Sequence, residues 1–459
     1  MDLIVCSLPK SNCDSPLLGP CVVSAAAKAS GFSSKVLDFN IQLYRHLKET
    51  GTTDAQWIEL DYTFQDQNLF DEFVQRREID LLINSWVDQI RDEKPKFVGI
   101  TAFSKSNTRM IRYFCQLLRA AYPAGRIILG GPESYFCGEN LARAGLVDKV
   151  VSGYGESAII ATLSRGATGP PLHSGEPAIT KSPTFFCSPD YSDLDMSLYR
   201  GGFLSVSASR GCLRKCQFCA VYSVWGPLVN RKAEDVVGEM RHGFEKYNIT
   251  KFHFTDSTFN GSIEHQREIC RQLIKVPHQF EWQAFVNILP KRKSNSDDIH
   301  LLSNAGCRLL KVGVESGSER LRREMGKPFT NQELFLFLEE LGKTEIRCDL
   351  FFMVGYPSET EEEFVMTMDL ISELRQFQGS IAHLRVAPTT VHEGTKLWAN
   401  KDTSPASFSE SKDTNSDLSA QSSRFERYQS LRNHIFQSGF KIRHLEDIRM
   451  QLSVKRGLV

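Results

Sequence analysis

The sequence predicts an α/β protein in two main parts: a doubly wound parallel sheet over residues 1–165, and a partial barrel of six strand–helix units over 196–400. Three observations predict it. Short β-branched runs that end at glycine or polar residues alternate with helical stretches, the pattern of strands buried in a parallel sheet. The alternation breaks at 166–195, a linker rich in glycine, proline and serine, and then resumes on a larger scale. The length of 459 residues suits two to three domains of about 100–200 residues each.

In the first part, "LIVCSLP" opens as a strand, and "LGPCVVSAAAKASGF" follows as an apolar-faced helix. The next strands are "SKVLDFN", "KFVGITAF", "RIILGG" and "DKVVSGYGE". Residues 41–95 are an acidic and aromatic insertion of helical character without a clear period. A doubly wound sheet binds its ligand at the carboxyl ends of its strands. In the second part the strands are "FLSVSAS", "KFHFTD", "FEWQAFV", "RLLKVGV", "IRCDLFFMV" and "AHLRVA". Helices such as "AEDVVGEMRHGFEKY" and "TEEEFVMTMDLISELRQF" lie between them. Functional residues of such a barrel sit just past the strand ends. Residues 401–459 form a carboxyl-terminal extension: a polar, serine-rich linker through 423, then a helix, a short strand and a basic end.

Composition narrows the function classes. Lysine plus arginine equals aspartate plus glutamate at 55 each, which argues against an extended nucleic-acid or membrane surface. No apolar run is long enough for a membrane span, and the amino terminus lacks a basic signal region. A cytoplasmic location is the expectation, with the twelve cysteines as reduced thiols. Nine are scattered and read as buried or surface thiols. The other three, Cys212, Cys216 and Cys219, form C-x3-C-x2-C in "SRGCLRKCQFC", just after the first strand of the second part. Soft thiolates suit zinc or an iron–sulfur cluster. A structural zinc site wants a fourth cysteine or histidine nearby, and none lies close in sequence. Three thiolates leave one metal position open, and on its own the triplet favours iron–sulfur over zinc or accidental clustering.

A C-x3-C-x2-C after a barrel's first strand resembles the radical S-adenosylmethionine (SAM) superfamily. Later strand ends agree with it: "FTDSTFN", "VGVESGSERL", "MVGYPSETEEEF" and "VAPTTVHEGTKL", in order. The resemblance implies that the three cysteines hold a 4Fe–4S cluster whose fourth iron binds SAM. One electron then cleaves SAM to methionine and a 5′-deoxyadenosyl radical. It further implies that Phe218 packs beside the adenine and that Asp256 and Ser257 receive the SAM amino group. Glu315 and Ser316 would contact the ribose or carboxylate, Gly355 would lie near SAM, and Ala387 and Pro388 would meet the adenine. Asn287, ending the third strand, is a further SAM candidate. Tyr222 and Trp225, just after the cysteines, read as packing residues or as cleft lining.

The first part resembles the Rossmann-like cobalamin-binding domain of one branch of this superfamily, on "VGITAFS", "ILGGPES" and "VVSGYGES". Glycines at strand ends let a backbone approach a large ligand. The resemblance implies cobalamin contacts at Thr101, Ser104, Gly130, Gly131, Pro132, Glu133, Gly153, Tyr154, Gly155 and Glu156. The D-x-H-x-x-G motif that gives cobalt a lower histidine in many cobalamin proteins is absent, as it often is in this branch, so cobalamin would bind without a histidine below the metal. The implied activity is methylation of an unactivated carbon by way of methylcobalamin. Alternatives are cyclisation or rearrangement without methyl transfer, a radical SAM enzyme that does not use cobalamin, and a non-catalytic protein that binds cluster and SAM. A methylthiotransferase would need three further cluster cysteines, and Cys6, Cys13 and Cys21 fall too close together for them. An electron donor such as flavodoxin or ferredoxin is the implied partner. The substrate is open among peptides, natural-product intermediates, lipids and small metabolites.

Overall fold

The structure is a computed structural model, and it describes residues 1–166, 186–289, 296–400 and 417–442, without the side chains of 417–423. The chain divides into two compact units, Met1–Ser205 with Glu245–Ile249, and Val206–Phe244 with Thr250–Val459. Most of the stretch read as a linker at 166–195, and the short strand and basic end after residue 442, lie outside the described residues.

The first unit holds strands β1 (Leu3–Ser7), β2 (Ser34–Asp38), β3 (Phe97–Thr101), β4 (Arg126–Gly130) and β5 (Lys149–Val150). They pair in parallel in the order β2-β1-β3-β4-β5. β1 is buried along its whole length, as a strand covered by helices on both faces must be. The order reverses between β1 and β3, which marks their carboxyl ends as the ligand crevice. The acidic and aromatic insertion is helical: Asp54–Thr63 and Gln67–Val74 precede a long helix, Arg77–Glu93. Its aromatic residues belong to the core, where Phe39 stacks on Trp86 and Phe64 meets Phe70 edge-on.

The second unit holds β6 (Phe203–Val206, entering from the unit boundary), β9 (Lys251–Phe254), β10 (Glu281–Val286), β11 (Cys307–Glu315), β12 (Arg347–Val354) and β13 (Ile381–Pro388). The ribbon β7 (Ser209–Arg210) and β8 (Val229–Asn230) pairs antiparallel beside them. The six-stranded order is β13-β12-β11-β10-β9-β6, with β9 to β13 parallel. A helix follows every strand of this sheet, which is the six-unit partial barrel. Along β11 and β12, Leu310, Val312, Val314, Leu350, Phe352 and Val354 are buried, and their alternating neighbours Lys311 and Phe351 are half-buried. One face of each strand is therefore packed, and the other, more polar face is left more open.

Capping residues set the helix starts. Thr360 and Glu363 form a capping box at Glu361–Glu373, and Ser318 caps Glu319–Met325. The extension departs from expectation, because the helix Asp417–Gln437 begins inside the stretch read as a linker. Docking explains the difference: Tyr428, Leu431 and Ile435 are almost fully buried, each contributing about 2 kcal/mol. Beyond the helix, Leu384 donates its N–H to the Lys441 carbonyl at 3.0 Å, which covers part of the β13 edge.

Candidate active site

The cysteine loop is irregular and pinned at several points. Cys212 N–H donates to the Gly226 carbonyl at 3.2 Å, and Cys219 N–H to the Cys216 carbonyl at 3.2 Å. Gln217 N–H donates to the Met325 carbonyl at 3.1 Å, which ties the loop to the end of the helix Glu319–Met325. Gly326 follows at φ +90°, and a Cβ there would stand 3.3 Å from the Cys216 Cα. The three thiols are half-buried and unpaired by disulfides. Burial pushes the Cys216 and Cys219 thiols up and the neighbouring cysteines push the same way, while Lys327 favours the thiolates. Among the described residues no three His, Cys, Asp or Glu side chains gather around a point that one ion could occupy. A cluster takes one thiolate per iron, and three soft thiol donors on one fixed loop fit such a group.

Glu315 ends β11 in the left-handed region, at φ +73°. A bulge in the pairing with β12 falls between Gly313 and Glu315. Strain of this kind persists where surrounding contacts impose it, often at functional sites. The Glu315 carboxylate pairs with Lys327, which also donates to the Gly313 carbonyl at 3.1 Å. A Cβ on Gly313 would fall against both charged groups, so only glycine leaves room for the pair. Lys327 Nζ lies 5.9 Å from the centre of the Phe218 ring, which packs beside Leu321, Met325 and Tyr356. The register places Met353 beside Ala387 and Val354 beside Pro388. Next to Pro388, the buried Thr389 hydroxyl has no hydrogen-bond partner among the described residues. Phe218 and the strand ends bearing Glu315, Gly355, Ala387 and Pro388 thus gather at one end of the barrel.

Other predicted residues are engaged differently. Asp256 accepts Ala208 N–H at 3.0 Å and the Ser209 hydroxyl, so both its oxygens hold the exit of β6. Burial pushes its carboxyl up to about 6. Ser257 beside it is exposed. Asn287 donates to the Thr258 hydroxyl at 2.8 Å and accepts Asn260 at its carbonyl at 2.7 Å, tying the ends of β9 and β10 together. Ser316 is fully buried, and its hydroxyl accepts Ser318 N–H at 3.1 Å. Tyr222 lies under Lys215, 4.3 Å from Nζ to ring centre.

In the first unit, register aligns Ser7, Thr101 and Gly130 at the carboxyl edge. Ser104 opens a single 3₁₀ turn after β3. Gly131 adopts φ +94°, and a Cβ there would lie 2.5 Å from the Ala102 carbonyl oxygen. After Pro132, Glu133 donates its N–H to that same oxygen at 3.0 Å, and burial pushes its carboxyl up. Gly153 is at φ +88°, Tyr154 is buried, and Gly155 and the buried Glu156 start the last helix. Two buried hydroxyls here, Ser11 after β1 and Ser152 after β5, lack hydrogen-bond partners among the described residues. Both come from carboxyl-end loops of the sheet, and both suit a ligand rimmed with amides. The sequence reading named neither, nor Lys327, nor Gly313. The crevice position of Ser11 depends on strand order, and Lys327 lies in a turn without period or motif.

The chain matches the B12 binding domain over residues 10–163 and the radical SAM superfamily over residues 206–371. It is 24% identical over 349 residues to an uncharacterized methyltransferase of Pyrococcus horikoshii, covering 70% of this chain and 72% of that protein. It is 29% identical to the tRNA-2-methylthio-N(6)-dimethylallyladenosine synthase of Anaplasma marginale, over 40% of this chain and 42% of that protein. Its fold is similar to that of TsrM, a radical SAM methyltransferase from Kitasatospora setae solved with cobalamin and a [4Fe-4S] cluster. That likeness has a TM-score of 0.67 and 17% identity, over 90% of this chain and 82% of that one. With both domains present in this order, the chain belongs to the cobalamin-dependent branch of the radical SAM superfamily, as an enzyme of methyltransferase-like build whose cofactors are a 4Fe–4S cluster, SAM and cobalamin.

Proposed function

We propose that this enzyme transfers a methyl group from SAM to an unactivated carbon of its substrate by way of cobalamin. The observation that carries the site assignment is the junction at Met325–Lys327: it fastens the cysteine loop, pairs with Glu315 and faces Phe218. Methyl transfer is supported by the methyltransferase names of the Pyrococcus relative and of TsrM. When bound, the cluster supplies the electron that cleaves SAM, and cobalamin supplies the methyl carrier.

The residues of the chain do the rest. Cys212, Cys216 and Cys219 hold three irons as thiolates, which Lys327 favours for Cys216 and Cys219. Glu315, fixed by Lys327, offers its carboxylate oxygens to the polar groups of SAM. Phe218, Gly355, Ala387, Pro388 and the Thr389 hydroxyl form the surround of the nucleoside, and Ser257 and Asn287 the opposite strand ends. Asp256 acts from behind, holding the β6 exit from which the cysteine loop starts. In the first unit Ser11, Thr101, Ser104, Ser152 and the turns at Gly130–Glu133 and Gly153–Glu156 hold cobalamin. A flavodoxin or ferredoxin serves as electron donor.

Anaerobic purification with cobalamin supplied tests this. Iron and cobalt are both expected in stoichiometric amounts, with label from [methyl-14C]SAM recovered in the cobalamin fraction. Iron without cobalt removes the cobalamin assignment; cobalt without label removes methyl transfer and favours rearrangement. Cys216→Ala is expected to lose both iron and 5′-deoxyadenosine formation, and an active variant overturns the cluster assignment.

A further inference from the structure

The helix Asp417–Gln437 lies outside the stretch 206–371 that matches the radical SAM superfamily. It is nevertheless built into the carboxyl end of β12. The stem of Arg424 lies where Gly355 would carry a Cβ, with Cδ 2.9 Å from that position and Cγ nearer still. Gly355 is at φ +70°, a conformation that favours glycine. Its N–H donates to Glu359 Oε2 at 2.7 Å. Arg427 Nη1 donates to that same oxygen at 2.9 Å, and Arg427 Nη2 reaches Glu361 at 3.0 Å.

The Glu359 side chain is 0% exposed, so its charge is supported by these donors instead of water. The charged groups around it are Arg424 and Arg427 from the carboxyl-terminal helix, with Glu361, Glu363 and Arg320 from the barrel. Burial and Glu363 push the Glu359 carboxyl up, and Arg427 pulls it down. Glu363 is itself held by Arg320 and Ser318 at 2.7 Å each.

We propose that Arg427 is a positioning residue for SAM: through Glu359 it fixes the backbone of Gly355, so that the carboxyl-terminal helix completes the SAM site. This rests on the reading that Gly355 borders SAM. The shared oxygen gives the coupling its direction. Without Arg427 the buried carboxylate loses the guanidinium that shares its oxygen with the Gly355 N–H, and the turn it holds must shift to admit water.

The test is equilibrium dialysis of [methyl-14C]SAM against the full chain with its cluster, at a series of pH values from about 8 downward, because burial raises the Glu359 carboxyl. Arg427→Gln is expected to weaken SAM binding about tenfold to a hundredfold near pH 8, with iron content unchanged. Affinity should recover as pH falls, because protonation removes the uncompensated charge. Glu359→Gln in the same chain should abolish that pH dependence, and Arg427→Lys should bind SAM more tightly than Arg427→Gln but more weakly than the parent, because it keeps the charge and loses the fork to Glu359 and Glu361. If Arg427→Gln does not fold, the Arg427→Lys and Glu359→Gln variants carry the test: weaker SAM binding by Arg427→Lys with iron unchanged supports the role, and binding equal to the parent in both variants refutes it. A parent chain that fails to bind SAM refutes the functional reading. A parent that binds SAM, with Arg427→Gln equal to it at every pH, refutes the positioning role alone.

Discussion

The two sheets of this protein present different chemistry at their carboxyl edges. The edge of the first is made of glycine turns and small hydroxyls at Ser11, Thr101, Ser104, Gly131, Ser152 and Gly153. Lys10, in the loop after β1, is buried against Asp61 at 3.0 Å. The edge of the second is built from opposed charges, Lys327 with Glu315 and Arg427 with Glu359. A large ligand rimmed with amides needs close backbone and many weak donors and acceptors. A small zwitterionic ligand needs a few strong, fixed charges. This contrast supports the proposed placement of cobalamin at the first edge and SAM at the second.

One substitution made twice gives the largest effects and tests that contrast. Gly131→Ala places a Cβ against the Ala102 backbone at φ +94°, and about 3 kcal/mol of stability should be lost. The first unit should unfold early and lose cobalamin on desalting. At Gly313 a Cβ meets only the ends of two flexible side chains, Lys327 and Glu315. Gly313→Ala should therefore lose less stability than Gly131→Ala and keep its iron, and bind SAM about a hundredfold more weakly, as expected for a disturbed buried charge pair. Equal losses of stability in the two variants would show that the edges do not differ in kind.

The next effect is one the two units share. Asp38, at the end of β2, and Asp256, after β9, are both buried, and burial pushes each carboxyl up to about 6. An unfolded aspartate releases its proton near pH 4. Between these values the native state holds more protons than the unfolded state, so stability falls as pH rises from about 4 to about 6 and stays lower above. Two pKa units correspond to about 3 kcal/mol per residue at most. Asp38 accepts Ile41 N–H at 3.1 Å and the Tyr199 hydroxyl at 2.7 Å, and Asp256 accepts Ala208 N–H and the Ser209 hydroxyl. An asparagine can keep both bonds in each place, because the hydroxyl can turn to accept. Asp38→Asn should flatten the pH dependence of the first unit's denaturation midpoint, and Asp256→Asn that of the second. A parent midpoint that rises over the same range, with variants that track it, contradicts the assignment.

Much of this was legible in the chain. Every strand of both main sheets overlaps the run that predicted it, with β11 and β13 one residue longer at each end, because buried parallel strands are continuous apolar runs bounded by glycine or polar residues. The cysteine spacing and the glycine turns were legible because they are local. The charge pairs were not: Lys327 is 12 residues from Glu315, and Arg427 is 68 from Glu359. Neither spacing follows a helix or strand period, so only tertiary packing brings the partners together. Asp256 shows the converse. Its position after a strand was evident, but its side chain turns inward to Ala208 and Ser209, a direction set by strand neighbours and not by local sequence. Glu315 took its meaning from a left-handed backbone that glutamate rarely adopts.

The smallest effect concerns a single hydroxyl. Ser152 is 1% exposed, and its Oγ has no hydrogen-bond partner among the described residues. A buried unsatisfied hydroxyl costs about 1–3 kcal/mol, so Ser152→Ala should leave the cobalamin-free chain as stable as the parent or more stable by up to about 1 kcal/mol. If the hydroxyl exists for the ligand, the same variant should release cobalamin up to about tenfold faster, since one neutral hydrogen bond contributes about 1 kcal/mol. Gain in one measurement with loss in the other is the signature of a polar group kept for binding. A variant that gains stability and retains cobalamin as the parent does would show that Ser152 faces protein, and would move the ligand-facing part of this edge to Ser11 and Thr101, nearer the point where the strand order reverses.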